Sequence, residues 1–134
     1  MARVVAFIPD LLFGSRVQAM LDADGQVVEL VSNADAVRDA LTDVTVLVVD
    51  LTDEEFGGAD LVESLSADGS LAGIRTLAFY SHVDVDARRR AESAGFDLIV
   101  PRSRMAREGA ELVSRLAAGE SDQPSERTGL EDGP

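Results

Sequence analysis

The sequence predicts an α/β domain: a doubly wound parallel sheet of five strands in the order 2-1-3-4-5, with helices on both faces. Three observations point there. Short apolar, β-branched runs alternate with stretches of helical period along residues 1–118, the mark of successive βα units. Three of those runs are apolar on both alternating faces, as strands covered on both sides should be. Five βα units also fit one domain in a chain of 134 residues, long enough to bury a sizeable core.

The elements follow in order. A first strand is expected at Arg3 to Ile8 (RVVAFI), then a helix from about Ser15 to Ala23. The second strand is Gln26 to Val31 (QVVELV), and Asn33 is a good N-cap for a helix running to Leu41. Val44 to Val49 (VTVLVV) is the third strand, followed by a helix at Ala59 to Ser66. Arg75 to Tyr80 (RTLAFY) is the fourth, with a helix at Val85 to Ala94 that Asp84 can cap and Gly95 can close. The fifth strand, Asp97 to Val100 (DLIV), leads to a helix at Arg104 to Ala118, for which Ser103 is the expected cap. In that last helix Met105, Leu112, Val113 and Leu116 form one stripe opposite Glu108, Glu111 and Arg115, so it should lie on a sheet. Residues 119–134 hold one large apolar side chain, Leu130, beside five acids and one Arg; this acidic tail is expected to be disordered.

Composition excludes several functions. Twelve basic and 25 acidic groups give a formal net charge of −13, which repels a nucleic acid or an anionic membrane unless a basic stripe compensates. The Arg88, Arg89, Arg90 triplet is flanked by Asp84, Asp86 and Glu92, with Asp84 to Arg88 and Asp86 to Arg90 at i,i+4 spacing, so it reads as a solvated helix face. No nucleic-acid or membrane partner is expected, and with no output domain after the body, DNA binding in cis is not expected either. There is no Cys, which removes disulfides, thiolate catalysis and thiolate metal sites. The single His82 adjoins Ser81 and makes a poor base for it. The opening MARVVAFIPD turns polar too early for a signal peptide or a membrane span, which leaves a cytoplasmic domain as the expectation. The pieces FGS and FGG lack the spacing of a phosphate loop.

In a doubly wound sheet the reactive crevice lies outside the carboxyl ends of the strands. The residues following the strands there are Asp10, Asp50, Ser81 and Arg102. Two carboxylates, a hydroxyl and a fixed cation could hold a hard ion such as Mg²⁺ between Asp10 and Asp50. Asp50 would then be left as a nucleophile toward a phosphoryl group, whose oxygens Ser81 and Arg102 would bind.

With IPD (Ile8 to Asp10), VVDLT (Val48 to Thr52), FYSH (Phe79 to His82), AGFD (Ala94 to Asp97) and VPRS (Val100 to Ser103) at these ends, the chain resembles the response-regulator receiver domains of two-component signalling over residues 3–118. The resemblance implies a flavodoxin-like fold and phosphorylation at Asp50, with Ser81 and Arg102 beside it. It also implies Mg²⁺ held by Asp10, Asp50 and the backbone carbonyl of Thr52, and a histidine kinase or another signalling protein as partner. At most, the chain would be an enzyme in the sense of Mg²⁺-dependent autophosphorylation on Asp50. Four departures stand out. Pro9 takes the place of the first acid of the family's pair and Arg102 that of its lysine. The loop LTDEEFGG lacks the usual proline turn, and Ile99 stands near a common aromatic. Mg²⁺ binding is therefore expected to be weak. A pseudo-receiver, working as an adaptor or dimerisation module without phosphoryl chemistry, is the alternative to a phosphoryl acceptor.

Two surface features complete the expectations. Asp86, Arg90, Arg104, Arg107 and Glu111 could pair across a two-fold axis in a homodimer on the fourth helix, fifth strand and fifth helix. Leu11, Leu12 and Phe13 follow Asp10 directly, either as a staple tucked against the first helix or as an exposed lip for a partner.

Overall fold

The computed structural model describes residues 2–81 and 84–119; His82 and the expected tail beyond Gly119 lie outside the described residues. The strands are β1 (Arg3–Phe7), β2 (Val27–Val31), β3 (Val46–Asp50), β4 (Arg75–Tyr80) and β5 (Leu98–Pro101), and the helices are α1 (Leu11–Ala23), α2 (Ala34–Ala40), α3 (Gly58–Ala67), α4 (Val85–Ala94) and α5 (Arg102–Ala117). The strands pair in parallel in the order β2-β1-β3-β4-β5, as expected.

Because alternate side chains of a strand point to opposite faces, the central strands feed two cores. Val5, Phe7, Leu47, Val49, Ala78 and Tyr80 meet Val37 of α2, Leu61, Val62 and Leu65 of α3, and Ala87 and Ala91 of α4. Val4, Ala6, Val46, Val48, Leu77 and Phe79 meet Phe13, Val17 and Leu21 of α1 and Met105, Leu112, Val113 and Leu116 of α5. All five residues of β3 are buried, whereas β2, at the edge, exposes Val27 and Glu29. The register sets Asp50 beside Phe79 of β4, so the last residue of the central strand ends level with the polar turn that follows β4.

Three local expectations are corrected. First, α1 starts at Leu11, four residues earlier than Ser15, because Asp10 caps it. Leu11 and Leu12 stand 71% and 83% exposed, while Phe13 turns into the core; there is no staple. Second, Ser103 does not cap α5. The helix starts at Arg102 with Pro101 at the N-cap and no side-chain cap bond, since proline fixes the extended entry by its ring and leaves Ser103 inside the first turn. Third, the Asp84–Arg88 and Asp86–Arg90 pairs do not form. The carboxylate of Asp84 is spent on the Ala87 N–H as a cap, and Arg88 pairs forward with Glu92. Arg90 reaches across to α3, donating to Glu63 at 2.6 and 2.9 Å and to Asp60.

Candidate functional site

Asp10 sits beyond the end of β1, after Pro9, in an extended conformation that lets its side chain fold back over the start of α1. One carboxylate oxygen, Oδ1, accepts from the N–H groups of Leu12 and Phe13 at 3.0 and 3.2 Å. The other, Oδ2, lies 3.6 Å from Nη2 of Arg102. The aspartate expected to be a ligand is thus first a helix cap.

Asp50 closes β3 and is only 1% exposed. Its Oδ1 accepts twice from Thr52, from the N–H at 2.8 Å and from the hydroxyl at 2.6 Å, the local turn that an Asp two residues before a Thr can form with its own backbone. Its Oδ2 is sealed from solvent and has no hydrogen-bond partner. Burial pushes the carboxyl above the ordinary carboxylate range; the two Thr52 bonds and the Arg102 charge pull it back in part, and Asp10 adds to the rise.

Arg102 opens α5. Its guanidinium lies 4.1 Å from the centre of the Phe13 ring, a cation–π arrangement, and Phe13 is held in turn by Phe79 at 5.2 Å between ring centres. Ser81 follows β4 at the same end of the sheet, half-buried, and its carbonyl accepts from the Asp84 N–H at 2.9 Å to start the turn into α4. Among the described residues no hydrogen bond joins its hydroxyl to Asp50. Asp10 and Arg102 therefore meet, Asp50 and Thr52 meet, the two pairs feel each other's charge, and Ser81 stands at the margin. Phe13, the seat of Arg102, was not anticipated; its signal is an Asp followed by Leu-Leu-Phe, which reads equally as a cap and a first helical turn.

A divalent cation does not fit this donor set. Mg²⁺ demands near-octahedral oxygen coordination, yet of the four carboxylate oxygens three are committed to N–H groups, a hydroxyl or a guanidinium, and the fourth is buried. Among the described residues no three His, Cys, Asp or Glu side chains cluster as metal ligands. Asp10, Asp50 and Thr52 all lie at this end of the sheet, but Asp10 is engaged by the α1 amides and Arg102, and Asp50 by Thr52. A separate cleft of about 280 Å³, walled by Leu51, Asp53, Glu54, Asp60, Ala87 and Arg90, lies between the β3–α3 loop and α4 and is lined by none of the expected site residues.

Five parallel strands in this order, flanked by five helices, define the receiver fold, and the comparisons with known proteins agree. The receiver domain of a Francisella response regulator superposes with a TM-score of 0.77 at 12% identity, covering 89% of this chain and 98% of its own. FixJ-N gives 0.75 at 22% identity, covering 88% and 94%. The signal receiver domain of the putative response regulator NarL from Mycobacterium tuberculosis gives 0.72 at 20%, covering 89% and 98%. No family model and no curated protein matches the sequence. At these identities the likeness establishes the fold. Among the described residues no helix is long and apolar enough to cross a membrane.

Proposed function

We propose that this chain is a receiver-fold signalling module that binds other proteins without phosphoryl transfer on Asp50. The observation that carries the reading is the closure of Asp50: one oxygen is held twice by Thr52 and the other is buried. A nucleophile must reach a phosphorus atom in line, and a carboxylate 1% exposed offers no such approach. The absence of a fitting Mg²⁺ site supports the same reading, because phosphoryl transfer relies on a cation to neutralise the developing charge. Partners of this kind, a kinase included, would meet an exposed apolar pair, Leu11 and Leu12, beside the cationic head of Arg102. With no Cys in the sequence, a reducing cytoplasmic setting suits the domain.

Intact mass after incubation with Mg²⁺ and a small acyl phosphate tests it. No phosphoryl adduct is expected on the wild type. The unpartnered Oδ2 of Asp50 favours the competing reading, a phosphoryl acceptor assisted by Ser81 and Arg102. An adduct on wild type that Asp50→Asn abolishes would establish that reading instead.

A homodimer on α4, β5 and α5 would draw on Asp86, Arg104, Arg107 and Glu111. Arg90 leaves that set, since two acids of α3, Glu63 and Asp60, turn its guanidinium toward that helix, whereas Arg104, Arg107 and Glu111 have ion pairs within α5 itself. If the face is used, Arg107→Glu should convert a dimer to a monomer in light scattering, and an unchanged dimer would exclude it.

A further inference from the structure

We propose that Arg102 is the resident cation of this pocket: seated on Phe13 and paired with Asp10, it fills the place between the β1 and β3 carboxylates that a divalent ion would otherwise take, and so keeps the domain insensitive to Mg²⁺. The inference deepens the proposed function and rests on it for its significance, because a module with its own fixed cation presents one surface whatever the metal supply.

Position is the first argument. An arginine at the start of a helix lies against the positive end of the macrodipole, and the first turn of α5 contains no acid to offset it. What offsets it lies on other elements: Asp10 at 3.6 Å and the face of Phe13 at 4.1 Å, with Asp50 close enough to feel its charge. Rigidity is the second. Phe13 is 4% exposed and braced by Phe79, so the ring beneath the guanidinium belongs to the core and does not swing with the surface. Charge is the third. A guanidinium keeps its proton at any physiological pH, is more weakly hydrated than an ammonium, and stacks on a ring, so it can stay in a half-dry pocket where a hydrated metal would have to shed water. The oxygens complete the case. Asp10 Oδ1 is bound to the α1 N-terminus and Asp50 Oδ1 to Thr52, so an incoming ion would have to displace Arg102 to reach even two carboxylate oxygens.

The test is a titration of the full chain with MgCl₂ alone, read by amide NMR shifts, with Mn²⁺ as a broadening probe at the same amides. Wild type is expected to show no saturable shift at residues 10–13 or 50–52 up to about 20 mM, above the millimolar range of weak divalent sites. Arg102→Gln, checked for folding by circular dichroism, is expected to gain saturable shifts centred on Asp10 and Asp50 with a midpoint roughly tenfold or more below any wild-type response, the size of effect that neighbouring groups exert on metal affinity. If that variant fails to fold, Arg102→Met, which keeps an apolar stem against Phe13, takes its place with the same expectation. Saturable low-millimolar Mg²⁺ binding by wild type at these amides overturns the proposal, and so does a folded Arg102 variant that remains as unresponsive as wild type. Wild type that binds Mg²⁺ but takes up no phosphate defeats this inference alone. Wild type that takes up phosphate defeats the proposed function, whatever the titration shows.

Discussion

Asp50 shows how one side chain can be costly to the fold and still fixed by it. A buried carboxylate is disfavoured when charged, and its Oδ2 is buried with no protein donor, so Thr52 and Arg102 offset only part of the burial. The sign of the pH effect follows. Since the folded-state pKa lies above the unfolded value, the folded form holds this proton more tightly. Below the unfolded pKa, both states are protonated and no penalty exists. As pH rises through the folded-state pKa the penalty develops in full and persists to neutrality. Asn keeps the shape and the acceptor for Thr52 without the charge. Asp50→Asn should therefore raise Tm at pH 7, and the gap to wild type should close on acidification. A variant less stable than wild type at pH 7 would mean that the charge of Asp50 stabilises the fold, through Arg102, more than burial costs it.

Helices here are positioned by how closely they approach the sheet, and two glycines make opposite predictions. Gly58 starts α3 against the end of β3: a Cβ there would lie 2.5 Å from Val49 Cγ1, 2.8 Å from Leu51 Cδ2 and 3.3 Å from the Asp50 carbonyl oxygen. Val49 is β-branched, fully buried and unable to move aside, so Gly58→Ala should cost about 1–3 kcal/mol in denaturant unfolding and shift the loop beside Asp50. Gly109, inside α5, would meet Met20 Cε at 2.7 Å and Met105 Cε at 3.0 Å, the far ends of flexible chains. Alanine also gains up to about 1 kcal/mol of helix propensity there, so Gly109→Ala should be close to neutral. Equal costs at the two positions would contradict this account of α3 packing. The same elements mark what a sequence discloses. β3 is readable because a strand buried on both faces is apolar along its length, as VLVV is before Asp50 ends it, and the α5 stripe is readable because its period is local. The start of α1 was missed because Asp10 suits both a cap and a ligand, and because Leu11 and Leu12, apolar yet exposed, contradict the pattern of a buried face. The start of α5 was missed because Pro101 caps through its backbone, which leaves Ser103 as the best capping side chain in the sequence. Which residues gather at the strand ends could be read from order alone. That Asp50 is closed and that Arg102 lies on Phe13 could not, since those contacts depend on side-chain packing, and the second joins residues far apart in sequence.

Charge acts on the molecule in two opposing ways. Surface ion pairs such as Arg38–Asp68, Arg88–Glu92 and Arg115–Glu111 attract at short range, and salt weakens them. Each has both side chains at least 40% exposed, so solvent screens each pair and its stabilisation is at most modest. Against them stands the excess of acids, 25 against 12 arginines, whose mutual repulsion favours the expanded chain and is screened by the same salt. A handful of weak attractions confronts a net charge of −13 spread over 134 residues, so repulsion should win. Raising NaCl from about 20 mM to about 0.3 M shortens the Debye length from tens of ångströms to less than the width of a helix, and Tm should rise. A fall in Tm over that range would show that the ion pairs, with the Arg90 bridge between α3 and α4 foremost among them, outweigh the self-repulsion. Arg90→Met would then be the variant to compare: it should abolish much of the salt-induced fall if that bridge is its source, and leave the salt-induced rise in place if repulsion governs.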